Sequence, residues 1–181
     1  MLAKAGPDLV VRIALLLAGR RDFACRFVAY EIVRYHRAAV AGLTLDDLLK
    51  LGNGIDSWGA VDGFACLLSG PGWRDGRVSS AVIRGWARSE DRWWRRAALV
   101  STVALSRRGE AEDVRNVIEV CGLVVSDRDD MVVKALSWAL RELAKKHEEE
   151  AGKFVAQHRV RLASRVIREV HTKIMSQRHG Q

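Results

Sequence analysis

The sequence predicts an all-α chain built from antiparallel helix pairs, each stacked on the next. Three observations carry that expectation. Of 181 residues, 49% are apolar, alanine, leucine, valine and arginine dominate, and Pro7 and Pro71 are the only prolines. Apolar residues recur at helical spacing, and no alternating run lies between hairpin turns. Capping residues and glycines then cut the chain into short helices. A chain of this length holds a sizeable core, and residues 1–181 are expected to form one domain.

Each element follows from its signals. Asp8 caps a first helix running to about Gly19. Its run VVRIALLLAG is short and interrupted by Arg12, so it reads as an amphipathic helix rather than a signal peptide. Asp22 caps the next helix, FACRFVAYEIVRYHRAAV, which runs to Gly42. Thr44 opens TLDDLLKL, ended by Gly52 and Gly54. Asp56 or Ser57 starts SWGAVDGFACLLS, stopped by Gly70 and Pro71. Ser79 or Ser80 leads AVIRGWARS, and DRWWRRAALVSTVALSRR then runs to Gly109. AEDVRNVIEVCGLVV and DDMVVKALSWALRELAKKH follow, and the tail adds one or two helices, RVRLASRVIREVHTKI the clearest.

The distinctive segments starting near 56, 91 and 129 are 35 and 38 residues apart. HEAT and armadillo arrays repeat at about 40 residues and curve to offer a concave surface. The expected fold is therefore a HEAT-like (armadillo-type) superhelix with a concave basic face. A closed helical bundle is the alternative.

Net charge is +8, and it is unevenly spread. Residues 84–109 carry +5, residues 110–152 carry −5, and residues 153–181 carry +6. Two basic blocks flanking an acidic one suit a polyanionic partner, and the excess of arginine over lysine suits phosphate. Cys25, Cys66 and Cys121 lie far apart on apolar helical faces, as buried thiols of a reducing cytoplasm. Neither they nor the five histidines have ligand spacing, so no metal is expected. No run is long enough to cross a membrane.

Three helical faces do not behave as core. In DSWGAVDGFACLL, Trp58 and Asp62 are four apart and lie one above the other at the edge of the core face. In DRWWRRAALVSTVAL, Arg96 shares a face with Trp93, Val100 and Val103. A guanidinium there needs a carboxylate or a phosphate, and Asp62 of the preceding repeat is the candidate neighbour. Arg88, Arg92 and Arg95 read as a solvated basic rim. In KALSWALRE, Trp138 points away from the core side, between Lys134 and Arg141. An aromatic face among cations suits contact with a sugar or base beside phosphates, while packing against the adjoining repeat is the plain alternative.

These segments carry a resemblance. SWGAVDGFA resembles the Trp-x-x-x-Asp segment of the DNA alkylation-repair family of HEAT-like-repeat DNA glycosylases, the AlkD type. DRWWRRAALVS is similar to that family's tryptophan-led helix with Arg before Ala-Ala. VVKALSWALRELAK is similar to its Lys-Ala-x-x-Trp-x-Leu-Arg-Glu helix. RFVAYEIVRYHRAAVAGLTLDDLLKL resembles the preceding repeat, and the whole likeness covers roughly residues 20–175.

The resemblance implies a monofunctional glycosylase acting on positively charged N3- and N7-alkylpurines in double-stranded DNA; no interface signal is evident, so a monomer is expected, and no cofactor is expected. It puts the essential aspartate at Asp62, the two active-site tryptophans at Trp58 and Trp138, and the arginine near the lesion at Arg96. Lys134, Arg141, Arg92 and Arg95 would add DNA contacts. A cationic base is already a good leaving group. The remaining difficulty is oxocarbenium character on the deoxyribose, which a carboxylate and electron-rich indole faces would stabilise. The expected location is the cytoplasm, at the nucleoid when DNA is bound.

Two departures stand out. The family begins with further helical repeats, whereas this chain starts close to the second or third pair. The family often has an acid after the first tryptophan, and here it is Gly59, which with Gly63 weakens the helix by roughly 1 kcal/mol each against alanine. A non-catalytic binder of damaged or branched DNA and a protein-interaction scaffold are the rival readings.

Overall fold

The computed structural model describes residues 5–20 and 22–179. Among them every regular element is a helix: α1 (Pro7–Ala18), α2 (Phe23–Tyr35), α3 (Arg37–Gly42), α4 (Leu45–Gly52), α5 (Trp58–Phe64), a π-helical turn (Ala65–Ser69), α6 (Gly70–Arg74), α7 (Ser80–Ala87), α8 (Arg92–Arg108), α9 (Ala111–Leu123), α10 (Asp130–Ala144), α11 (Glu148–Gln157) and α12 (Ser164–His179). Most starts are the expected caps. The side chains of Asp22, Thr44, Ser79, Asp91 and Asp129 each accept a backbone N–H of the first turn.

The tail helix starts at Ser164 rather than at Arg159, and three other boundaries differ from expectation, each for a local reason. The first helix starts at Pro7 rather than after an Asp8 cap, because proline already has the φ of a first helical residue and lacks only an N–H that would be unpaired there. The segment from Asp22 to Gly42 is two helices, not one. His36 is extended, at φ −102° and ψ 94°, and its Nδ1 accepts the Ala39 N–H to start α3. Its Nε2 lies 3.1 Å from the Ala5 carbonyl, tying the bend to the start of the chain's described part.

The third difference concerns Gly70 and Pro71, which do not stop the helix. A π turn intervenes, in which the Gly70 N–H reaches back to the Ala65 carbonyl, and α6 carries on to Arg74. The wider turn relieves the clash that a proline makes with the preceding helical carbonyl. Gly70 is required there. A Cβ would stand 2.8 Å from the Ala65 carbonyl oxygen and 2.9 Å from that of Ser101 on α8.

Helix α8 is the spine. Ten of its 17 residues are buried, and it packs against α5, α6, α7, α9 and α10. The buried apolar side chains run as one cluster from α1 to α12. Side-chain hydrogen bonds between helices recur at a constant separation. Arg96 to Asp62, Arg84 to Glu119, Arg92 to Asp129, Arg95 to Asp127 and Ser137 to Glu169 all span 32–37 residues. That is close to the 35 and 38 residues between the distinctive segments, so from α5 onward several helices are joined by polar side chains to others about that far along the chain.

The same stitching changes the meaning of the charge blocks. Arg84, Arg92, Arg95 and Arg108 of the basic block pair with Glu119, Asp129, Asp127 and Asp113 of the acidic one. Much of the asymmetry is internal pairing rather than surface offered to a polyanion. Of the cysteines only Cys121 is buried; Cys25 and Cys66 are half-exposed, because each lies at the margin of its helix's core face. No helix among the described residues is long and apolar enough to cross a membrane.

Candidate active site

The site is built on α5, α8 and α10. Ser57 is extended at φ −141° and ψ 149°, and α5 begins immediately after it with Trp58. Val61 and Phe64 fill the core, and their burial fixes the rotation of α5. That rotation sets the Trp58–Asp62 stripe at the edge of the core. Trp58 is 62% exposed, and the Asp62 side chain is 19% exposed. An indole left that far in water contributes little to folding.

Arg96, one turn into α8, is 6% exposed and meets Asp62 in a two-pronged ion pair. Its Nε donates to one carboxylate oxygen at 2.8 Å and its Nη2 to the other at 2.7 Å. Its Nη1 donates to the Met131 carbonyl in the first turn of α10, at 2.6 Å. One planar guanidinium therefore joins α5, α8 and α10, a geometry that lysine cannot reproduce. The charge-pair partner expected for a guanidinium on this face is Asp62. With all three nitrogens committed inside the protein, Arg96 orients the carboxylate and is not placed to clamp a phosphate.

Trp138 is half-buried, with part of its ring against the core. It lies seven residues after Met131, hence on the same stripe of α10. The other end of the stripe is Glu142, whose charge reaches Cys66, one turn beyond Asp62. Of this stripe, Met131 is the residue tied to the Asp62 site, through the Arg96 bond to its carbonyl. Burial, and after it the Asp62 carboxylate, pushes the Cys66 thiol up to about 11, so Cys66 is no nucleophile.

The flanking cations are less free than the sequence implies. Lys134 pairs with Asp130 at 2.6 Å. Arg141 donates to the Ser137 carbonyl at 3.3 Å and lies 3.9 Å from Glu169. Arg92 lies over the Trp93 ring at 4.8 Å and reaches Asp129 at 3.3 Å. Arg95 is not a solvated rim residue. It is held by Asp127 at 2.7 Å and by the Ser89 and Glu90 carbonyls, because it lies over the turn that leads into α8.

A family model described as DNA alkylation repair enzyme matches residues 3–174. The chain belongs to the DNA alkylation repair enzyme family. Comparison with curated proteins and with solved structures gave no match. Membership of this DNA alkylation repair family makes DNA the substrate. No group of three or more His, Cys, Asp or Glu side chains able to hold a metal lies among the described residues of this alkylation-repair chain.

Two residues beside the site escape a reading of the sequence alone. Phe23 and Phe27, one turn apart on α2, stack with ring centroids 6.0 Å apart and are 55% and 42% exposed. They pass over the two glycines of α5. A Cβ on Gly59 would stand 2.8 Å from the Phe23 ring. Gly59 and Gly63, which cost helix propensity, thereby let the aromatic pair lie close beside the Trp58–Asp62 stripe. The available signal is the spacing of phenylalanine at 23 and 27 against glycine at 59 and 63, four residues in each case.

Proposed function

We propose that this chain is a monofunctional DNA glycosylase that hydrolyses the N-glycosidic bond of positively charged N3- and N7-alkylpurines in double-stranded DNA. The observation that carries this reading is Asp62, held at the surface edge by Arg96 and set one turn from an indole that folding leaves exposed. A carboxylate has about four lone-pair positions, and Arg96 uses two. The remaining two can face an attacking water and the C1′ of a deoxyribose losing its base. The faces of Trp58 and Trp138 can flank that sugar, each adding about 0.5–2 kcal/mol of cation–π attraction as positive charge develops. Arg96 is then a positioning residue. Lys134, Arg141 and Arg92 form a rim that exchanges its internal carboxylates for phosphates. The whole chain serves as one HEAT-like array, its concave face against the duplex, acting as a monomer in the cytoplasm.

One observation favours a second reading, a non-catalytic binder of damaged or branched DNA: both oxygens of Asp62 already accept from Arg96. A single experiment separates the two. The protein is incubated with methylated duplex DNA, and released N7-methylguanine and N3-methyladenine are measured beside Asp62→Asn. Release by wild type, reduced about 10²-fold or more in the variant, supports the glycosylase. Duplex binding without release leaves the binder, and equal release by both proteins removes Asp62 from the chemistry.

A further inference from the structure

The Asp62 stripe does not end at Asp62. One turn on lies Cys66, in the π turn, which with α6 opens into a cleft of about 360 Å³. Four arginines line it: Arg34 from α2, Arg74 and Arg77 from α6 and the turn after it, and Arg107 from the last turn of α8. Against them stands one lining carboxylate, Asp75. It is shared by Arg74 at 2.8 Å and Arg77 at 2.9 Å, which fixes where those two guanidiniums point. Arg34 lies over the Tyr35 ring at 5.1 Å and has a loose carboxylate partner, Glu31 at 3.6 Å, and no carboxylate of the described residues pairs with Arg107. The floor is apolar, made by Leu67, Pro71, Val103 and Ala104.

We infer that this cleft seats a backbone phosphate of the DNA strand that runs past Asp62, with the adjoining deoxyribose on the apolar floor. The inference rests on the reading of this face as a DNA interface. Cationic rim and apolar floor match the two halves of a sugar–phosphate unit, and arginine forks suit phosphate oxygens. Continuity with the site is direct. Arg107 lies eleven residues after Arg96 on the same stripe of α8, and its charge, like that of Arg96, reaches Cys66. Eleven residues of helix span about 16 Å, and a strand carries one phosphate per roughly 3.4 Å of duplex axis. The cleft therefore lies about 16 Å along α8 from the Arg96 end of the site, far enough to grip the duplex without touching the reacting sugar.

The test is fluorescence anisotropy with a labelled duplex at several salt concentrations. Wild type is compared with Arg107→Gln, the double variant Arg34→Gln/Arg107→Gln, the charge-preserving Arg107→Lys, and Arg115→Gln on α9 as an unrelated exposed arginine. Each loss of a phosphate contact is expected to reduce the slope of log K against log salt by about 0.9. Arg107→Gln should show one such step with several-fold weaker binding, Arg107→Lys should recover most of it, and Arg115→Gln should match wild type. A steep wild-type slope that the cleft variants leave unchanged overturns the cleft while the DNA interface stands. A flat wild-type slope overturns both. Titration with inorganic phosphate followed by ³¹P line broadening distinguishes the remaining source. Phosphate binding lost in the variants, with the DNA slope intact, would make this a free-anion site and overturn the inference.

Discussion

At Asp62 the same two oxygens hold the Arg96 fork and, in the proposed reaction, face the sugar, and the two roles separate by substitution. Trp58 is the cleaner probe, because its 62% exposure means that its removal disturbs little core. Trp58→Ala should change unfolding free energy by no more than about 0.5 kcal/mol and cut excision roughly 2- to 30-fold, the kinetic equivalent of one cation–π contact. Urea unfolding and single-turnover excision on one preparation check both halves. Arg96 should behave in the opposite sense. Arg96→Met leaves Asp62 and the Met131 carbonyl without their donor, and stability should fall by about 3 kcal/mol or more in urea. Arg96→Lys should recover only part, since one ammonium cannot satisfy both carboxylate oxygens and a carbonyl. At this scale the sequence is informative where cost forces a partner. A guanidinium on an apolar face demands a carboxylate, and Asp62 is the available one. It is uninformative for Arg95, whose partners lie in the turns at 89–90 and 127, places that helical periodicity does not reach.

Among the helices, glycine substitutions distinguish packing from propensity. Gly85 lies in α7, and a methyl added to it would meet nothing within 4 Å, so Gly85→Ala should stabilise the protein by about 0.5–1 kcal/mol. Gly70→Ala should destabilise it by about 1–3 kcal/mol, although alanine is the better helix former, because the methyl meets two backbone oxygens that cannot swing away. Thermal melts of the two variants should therefore move in opposite directions. The caps at Asp22, Thr44, Ser79, Asp91 and Asp129 are legible because capping involves only one side chain and the turn that follows it. The break at His36 is not. It is stabilised by a bond to the Ala5 carbonyl, 31 residues away, and nothing in the local sequence announces that partner. The π turn before Pro71 is equally hidden, since it depends on how closely Gly70 approaches α8.

Across the whole molecule, polar stitching makes stability depend on pH. In Asp113, burial would raise the carboxyl, but the Arg108 hydrogen bond and charge and the Glu110 N–H outweigh it, and it lies below its usual 3.8. In Glu169, burial is likewise outweighed, by hydrogen bonds from Ser137 and Arg165, and it lies below its usual 4.5. A carboxylate depressed in the folded state stabilises it above the unfolded value, and that contribution is lost as pH falls through the folded value. The urea midpoint should therefore hold from pH 7 to about pH 5 and drop below about pH 4, with Asp113→Asn showing a shallower drop. The stitching also explains why net charge is a poor guide to the DNA-facing surface. Sequence gives the sum of charges, whereas the pairing across 32–37 residues decides which of them remain available.

The Arg96 fork also has a mechanical side. Its three bonds, 2.6 to 2.8 Å long, reach one helix of the preceding pair and one of the following pair. Such bonds have roughly half an ångström of slack before they fail. Bending the stack at this joint would therefore release the carboxylate, so under the proposed function a duplex that bends the chain here would also reset the group proposed to react. On that reading the shape of the stack and the readiness of Asp62 would form one gauge, with Arg96 as its needle.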